Sequence, residues 1–138
     1  MSLLSIFDVS GSALSAQTVR LNLISSNLAN ANSISSSVEQ TYRSRQPVFA
    51  EMVEGVDGNR SAAGVRVLGV VESDAPLRLE YAPDHPLANE EGYISLPNVN
   101  VIEEMANLIS ASRSYETNVE VVNQSKNIMT QLLRMGQS

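Results

Sequence analysis

"VIEEMANLISASRSYETNVEVVNQSKNIMTQLLR", residues 101–134, carries the longest uninterrupted periodic pattern in the chain. Alternate steps of four and three from Val101 reach Met105, Leu108, Ser112, Tyr115, Val119, Val122, Lys126, Met129 and Leu133, and only Ser112 and Lys126 break the apolar row. Ile102, Ile109 and Leu132 widen the stripe on one flank. No Pro or Gly intervenes before Gly136, which reads as the stop. A helix of this length spans about 50 Å at 1.5 Å per residue. A globule of this chain's size has a diameter under about 40 Å. The spacing therefore predicts an elongated molecule whose narrow seam is covered first by another helix and then by other chains.

The covering helix is predicted over residues 5–31. Phe7, Leu14, Leu21 and Leu28 recur every seven residues, with Ile24 and Ala31 three beyond the last two. Gly11 lies inside this pattern at a cost of about 1 kcal/mol relative to Ala, so a bend or a separate first turn is expected there. "NANSISSS" then ends the pattern as a loop. Both helices are rich in asparagine, a mediocre helix former whose amide competes for nearby backbone groups. Amides bring hydrogen bonds without net charge into a helix contact and can fix its register. The expected seam is Leu14, Leu21, Ile24, Leu28, Met105, Leu108, Tyr115, Val119, Val122 and Met129. Asn27, Asn30, Asn107 and Asn118 are its expected polar register.

Between the helices lie all five prolines and five of the seven glycines. "GVRVLGVVESD" reads as a strand and "PLRLEY" as its neighbour, with "SDAP" as the turn between them. "PVFAEMV" is a weaker strand, "APDHPLANEEGYISLPN" an ordered loop and "GVDGNRSAAG" a glycine-rich tip. The expected fold is mainly α, an elongated antiparallel, coiled-coil-like pair of terminal helices flanking a small β-rich insert. Its parts are residues 1–33, 34–98 and 99–138.

Composition narrows the function. Fifteen carboxylates oppose nine basic residues, giving a formal charge of −6 without basic clusters, which argues against nucleic acid or an anionic membrane as partner. The absence of Cys excludes disulfides and thiolate metal sites. No run approaches the ~18 apolar residues of a membrane span. The first positive side chain is Arg20 and Asp8 interrupts the early apolar residues, so no secretory signal is read.

Both ends carry longer motifs. "GSALSAQTVRLNLISSNLANANS" resembles the N-terminal motif of the bacterial flagellar rod, hook and filament axial proteins. "PDHPLANEEGYISLPNVNVIEEMANLISASRSYETNVEVVNQSKNIM" resembles the C-terminal motif of the proximal-rod branch of that flagellar basal-body rod family. The likeness continues through "TYRSRQPVFAEM" and "GVVESDAPLRLEY", and departs at Ser33, where related proteins often carry Thr. The resemblance implies a structural subunit without catalysis or cofactor. It would polymerise with itself and other rod proteins into the hollow drive shaft, after export through the flagellar type III apparatus without a Sec signal. The terminal helices would line the tube and the middle region would face outward. The alternative class is a coiled-coil adaptor or secreted effector.

Sharper chemical readings find little support. His85 lies near Asp84, Glu90 and Glu91, but one His with scattered carboxylates has no recognised ligand spacing and reads as a turn residue. The glycine-rich tip lacks the Lys-Ser/Thr of a phosphate loop. Glu103 and Glu104 read as early-helix acids favoured by the helix dipole rather than paired catalytic carboxylates. With one His, no triad is invoked, and no small-molecule substrate is expected.

Overall fold

A computed structural model of the chain describes residues 3–54 and 61–136. The elements run α1 (Leu3–Asn30), β1 (Arg45–Glu54), β2 (Ser61–Glu72), β3 (Arg78–Tyr81), β4 (Tyr93–Leu96) and α2 (Val101–Met135). α1 passes through Gly11 without interruption. Its last carbonyl, that of Asn30, accepts from both the amide and the hydroxyl of Ser33. α2 opens on Asn100, whose side chain accepts from the amides of Ile102 and Glu103. Glu103 and Glu104 in its first turn and Arg134 in its last complement the helix dipole. Gly136 follows α2 in a right-handed conformation, so it stops the helix without a left-handed cap.

The two helices are antiparallel. Asn27 meets Glu104, and about two turns back along α1 Arg20 reaches Asn107 at 3.4 Å. α1 is the central element, touching α2, β1 and β2. Among the described residues α2 touches no strand. At about 1.5 Å per residue, the 35-residue α2 outreaches the 28-residue α1 by roughly 10 Å.

The strands pair differently from the sequence reading. β2 runs antiparallel to β1, from Arg45 opposite Glu72 to Glu54 opposite Ser61, with register shifts after Val48 and Met52. β3 pairs with β4 instead, Arg78 opposite Leu96 and Tyr81 opposite Tyr93, so the stretch expected to be loop contributes a strand. The cause lies in "SDAP". The carbonyls of Ser73 and Ala75 are held by Asn98 and Arg43, which turns the chain away from β2 rather than back along it. Residues 55–60 of the expected tip lie outside the described residues, and Ser61–Gly64 belong to β2.

Of the seven buried apolar residues among those described, three are small, Ala16, Ala31 and Ala111, and the others are Ile24, Ile94, Leu96 and Val99. Small side chains allow close approach. Gly64 shows how close. It sits in β2 at φ 144°, and a Cβ there would run into the Ser12 hydroxyl of α1. That hydroxyl accepts from the Val65 amide at 3.1 Å and donates to the Val9 carbonyl, riveting β2 to α1. Gly64→Ala is expected to lift the strand pair off α1 and lower stability by about 1–3 kcal/mol, read as a lower urea midpoint at unchanged m-value.

Candidate assembly interface

α1 exposes one straight line of residues, Asp8, Gly11, Ser15, Thr18, Asn22, Ser25 and Ala29, at alternating spacings of three and four. The rest of its circumference is at least half-buried, because α2 and the β1–β2 pair both pack on it. Leu14, Leu21 and Leu28 are half-buried and Ile24 is buried.

On α2 the deeply buried residues are Glu104, Ala111 and Ser125, which fall on one heptad row with half-buried Asn118. Leu108, Val122 and Met129 form the adjoining half-buried row. Tyr115, in that same row, is 37% exposed. Val119 is half-buried at the edge. Met105 is 54% exposed and stands outside the α1–α2 contact. The four-three stepping from Val101 therefore found one row of the seam and placed the second one residue too far along. The true second row is small and polar, so hydrophobicity does not mark it.

Polar residues survive in that seam largely by bonding to their own helix. Asn118 donates to the Ser114 carbonyl and Ser125 to the Val121 carbonyl, each at 2.8 Å. Asn30 does the same with Ser26 at 2.8 Å. Asn107 accepts from Arg20 across the seam.

Asn27 has a different role. It is 1% exposed. Its Oδ1 accepts from the Arg45 amide at 2.9 Å and the Tyr42 hydroxyl at 2.8 Å, and its Nδ2 donates to the Arg45 carbonyl at 2.9 Å. The side-chain amide thus pairs with both groups of one peptide residue, as a neighbouring strand would, and fastens the first residue of β1 to α1. Beside it, Glu104 is buried, and its Oε2 has no hydrogen-bond partner. Burial pushes the Glu104 carboxyl above the ordinary glutamate value; the bond from Asn27 lowers it, the neighbouring Glu103 raises it and Arg20 lowers it.

A second knot, which the sequence reading missed, closes the junction. Asn98 accepts from the Ser44 amide at 2.8 Å while donating to the carbonyls of Ser73 and Ala75. Arg78 donates to the carbonyls of Pro97 and Ala31, tying the end of α1 to the approach to α2. "SLPNVN" signals the helix start at Asn100 but carries no local mark of the Asn98 and Arg78 bonds, whose partners are remote in sequence.

Large apolar side chains left outside are concentrated on α2 and the strand pairs. Ile102, Met105 and Ile109 share one face of early α2; Ile128, Leu132, Leu133 and Met135 line its end; Leu68, Val70 and Val71 stand on β2; Leu79 and Tyr81 on β3. His85 fixes its loop, its Nδ1 accepting from the Leu87 amide at 3.1 Å. Among the described residues no group of three His, Asp or Glu is placed to hold a metal, and no helix is long and apolar enough to cross a membrane.

The long helix pair and the large apolar side chains left outside suit a subunit that packs against other chains, and comparison with known proteins gives its class. Residues 7–33 match the flagella basal body rod protein family, and residues 90–135 match the C-terminal family of the flagellar basal body rod FlgEFG proteins. Over 137 residues the chain is 50% identical to the flagellar basal-body rod protein FlgC of Salmonella typhimurium, covering 99% of this chain and 100% of that protein. It is 49% identical to FlgC of Yersinia enterocolitica over the same shares, and 36% identical to FlgC of Borreliella burgdorferi over 152 residues, 99% of each chain. The chain belongs to the FlgC family of flagellar basal-body rod proteins. It is a structural subunit of the rod and not an enzyme.

Asn27→Ala removes the side-chain partner of both Arg45 peptide groups from a position where Asn27 itself is buried. Each buried group left unpaired costs about 1–3 kcal/mol. The expected loss is about 2–5 kcal/mol in chemical unfolding, against about 1 kcal/mol for Tyr42→Phe.

Proposed function

We propose that this subunit joins the rod through the outward apolar faces of α2 and of the two strand pairs, against further copies of itself and other rod proteins. Residues 1–33 and 99–138 make the axial coiled-coil part and 34–98 the outer part. The seam set named from the sequence divides accordingly: Leu14, Leu21, Ile24, Leu28, Leu108, Val122 and Met129 hold the chain's own helices together, while Met105 and the exposed edge of Tyr115 meet neighbours. In the assembled rod the subunit transmits torque and leaves a central passage for exported subunits. It reaches the rod through the flagellar type III apparatus.

The observation that carries this reading is the exposure of Ile102 and Ile109, at 81% and 57%, on a helix whose most deeply buried residues are Glu104, Ala111 and Ser125. Burying such side chains stabilises by about 25 cal/mol per Å², and among the described residues more than half of each stays uncovered. An adaptor or effector would share the helices but not both rod-family segments.

Two neighbouring residues separate fold from assembly. Leu108→Asp puts a carboxylate into the α1–α2 seam and is expected to cost several kcal/mol in the isolated chain. Ile109→Asp is on the open face and is expected to change stability by no more than about 0.5 kcal/mol. Both should abolish rod assembly and swimming in a strain lacking the wild-type gene. Normal motility with Ile109→Asp would remove early α2 from the interface.

A further inference from the structure

We propose that Glu104 is a proton-operated latch on the junction of α1, α2 and the β1–β2 pair: uncharged it keeps the junction closed, and its ionisation favours release of the segment that leads into β1. The proposal concerns the single chain and does not depend on how the rod is assembled.

The geometry comes first. Glu104 is 6% exposed and sits in the first turn of α2 against Asn27, the residue that holds Arg45. Its Oε2 is buried without a hydrogen-bond partner. A carboxylate has only acceptor sites, so a buried oxygen with no donor is the least favourable state for the charge. No cation bonds to that oxygen, although Arg20 lies near enough to offset part of its charge. From α1, Arg20 reaches Asn107. From the start of β1, Arg45 pairs with Glu72 of β2 at 3.3 Å and lies 5.3 Å from the centre of the Tyr42 ring. Tyr42, from the same segment, spends its hydroxyl on Asn27. From α2 itself, Glu103 adds a like charge. Arg20, Arg45, Glu103, Glu104 and Asn107 all line one open groove beside Ile24, so water reaches the junction's edge but not the orphan oxygen.

Closure therefore favours the protonated carboxyl: folding takes a proton from solvent and forms the Glu104 O–H bond. The direction follows. The folded carboxyl titrates above its ordinary value of 4.5, so the folded chain binds more proton than the unfolded one between the two values. Stability from this group is fully present below the ordinary value and is lost as pH rises through the folded one. The loss falls where Asn27 grips Arg45, because an ionised Glu104 draws on the same amide. The earlier turns of α1 and the strand interiors stand away from that contact.

The test is a carbon-detected titration of Glu104 in the full chain, with chemical unfolding of wild type and Glu104→Gln at matched pH. Glu104 is expected to titrate above 4.5. The ratio of wild-type to variant unfolding constants should climb by up to tenfold per pH unit across the window between the two values, then level. Amide-exchange protection of Arg45 should fall over the same window in wild type and stay flat in Glu104→Gln, with Val48 in β1 as the internal reference. A Glu104 titration at or below 4.5, or an unfolding ratio that does not change with pH, overturns the latch. If the variant fails to fold, the wild-type titration and the Arg45 exchange profile decide by the same criteria.

Discussion

The pairing of the Asn27 side chain with the peptide group of Arg45 is the constraint on which the rest of the molecule depends. A helix has no free peptide groups along its side to offer a strand. One buried amide supplies both a donor and an acceptor, and so gives α1 a single strand-like position. The Ser12 rivet on Val65 is the second fixed point. From Ser12 to Asn27 along α1 is about 22 Å at 1.5 Å per residue. From Arg45 to Glu51, the partner of Val65, is about 20 Å at 3.3 Å per residue. Helix and strand are thus commensurate between the two anchors, and a one-residue slip of β1 would break one of them.

That anchoring compensates for a meagre core. Among the described residues the buried apolar ones are three alanines and four larger aliphatics, and the aromatic rings all keep some exposure. The chain instead buries Asn27, Thr41, Ser44, Ser95 and Glu104. Buried polar groups are tolerable when bonded, and the side chains of Asn27, Thr41 and Ser44 are; the Ser95 hydroxyl and one Glu104 oxygen are left without a partner. The larger apolar side chains lie outside, on α2 and the strands. Such a division suits a rod subunit. Directional hydrogen bonds specify the shape of the single chain, and the non-directional hydrophobic term remains available for contacts between chains.

Asparagine does three separate jobs here, and residue type alone does not distinguish them. Asn30 and Asn118 bond back to their own helices, Asn100 caps α2, and Asn27 and Asn98 each bind distant backbone. A back-bonded asparagine is a compact, self-satisfied residue that can sit beside a close helix contact without asking anything of its partner. A backbone-binding one is an architectural joint.

By itself the sequence determined the long C-terminal helix, the shorter N-terminal one, their antiparallel return and the membership that both end motifs carry. These follow from local periodicity and capping chemistry, which act over a few residues and leave a readable pattern. It also marked the row of Leu108, Val122 and Met129. Only the tertiary structure decided which row lay beside it, because the closest helix contact selects for small volume, and Glu104, Ala111 and Ser125 carry no hydrophobic signal. Strand partnership was likewise decided in three dimensions. "SDAP" reads as a tight turn until Asn98 and Arg43, remote in sequence, capture its carbonyls. The role of Asn27 depended in the same way on Arg45 and Glu104 arriving from either side, since a hydrogen bond needs its partner's position and the chain order does not contain it.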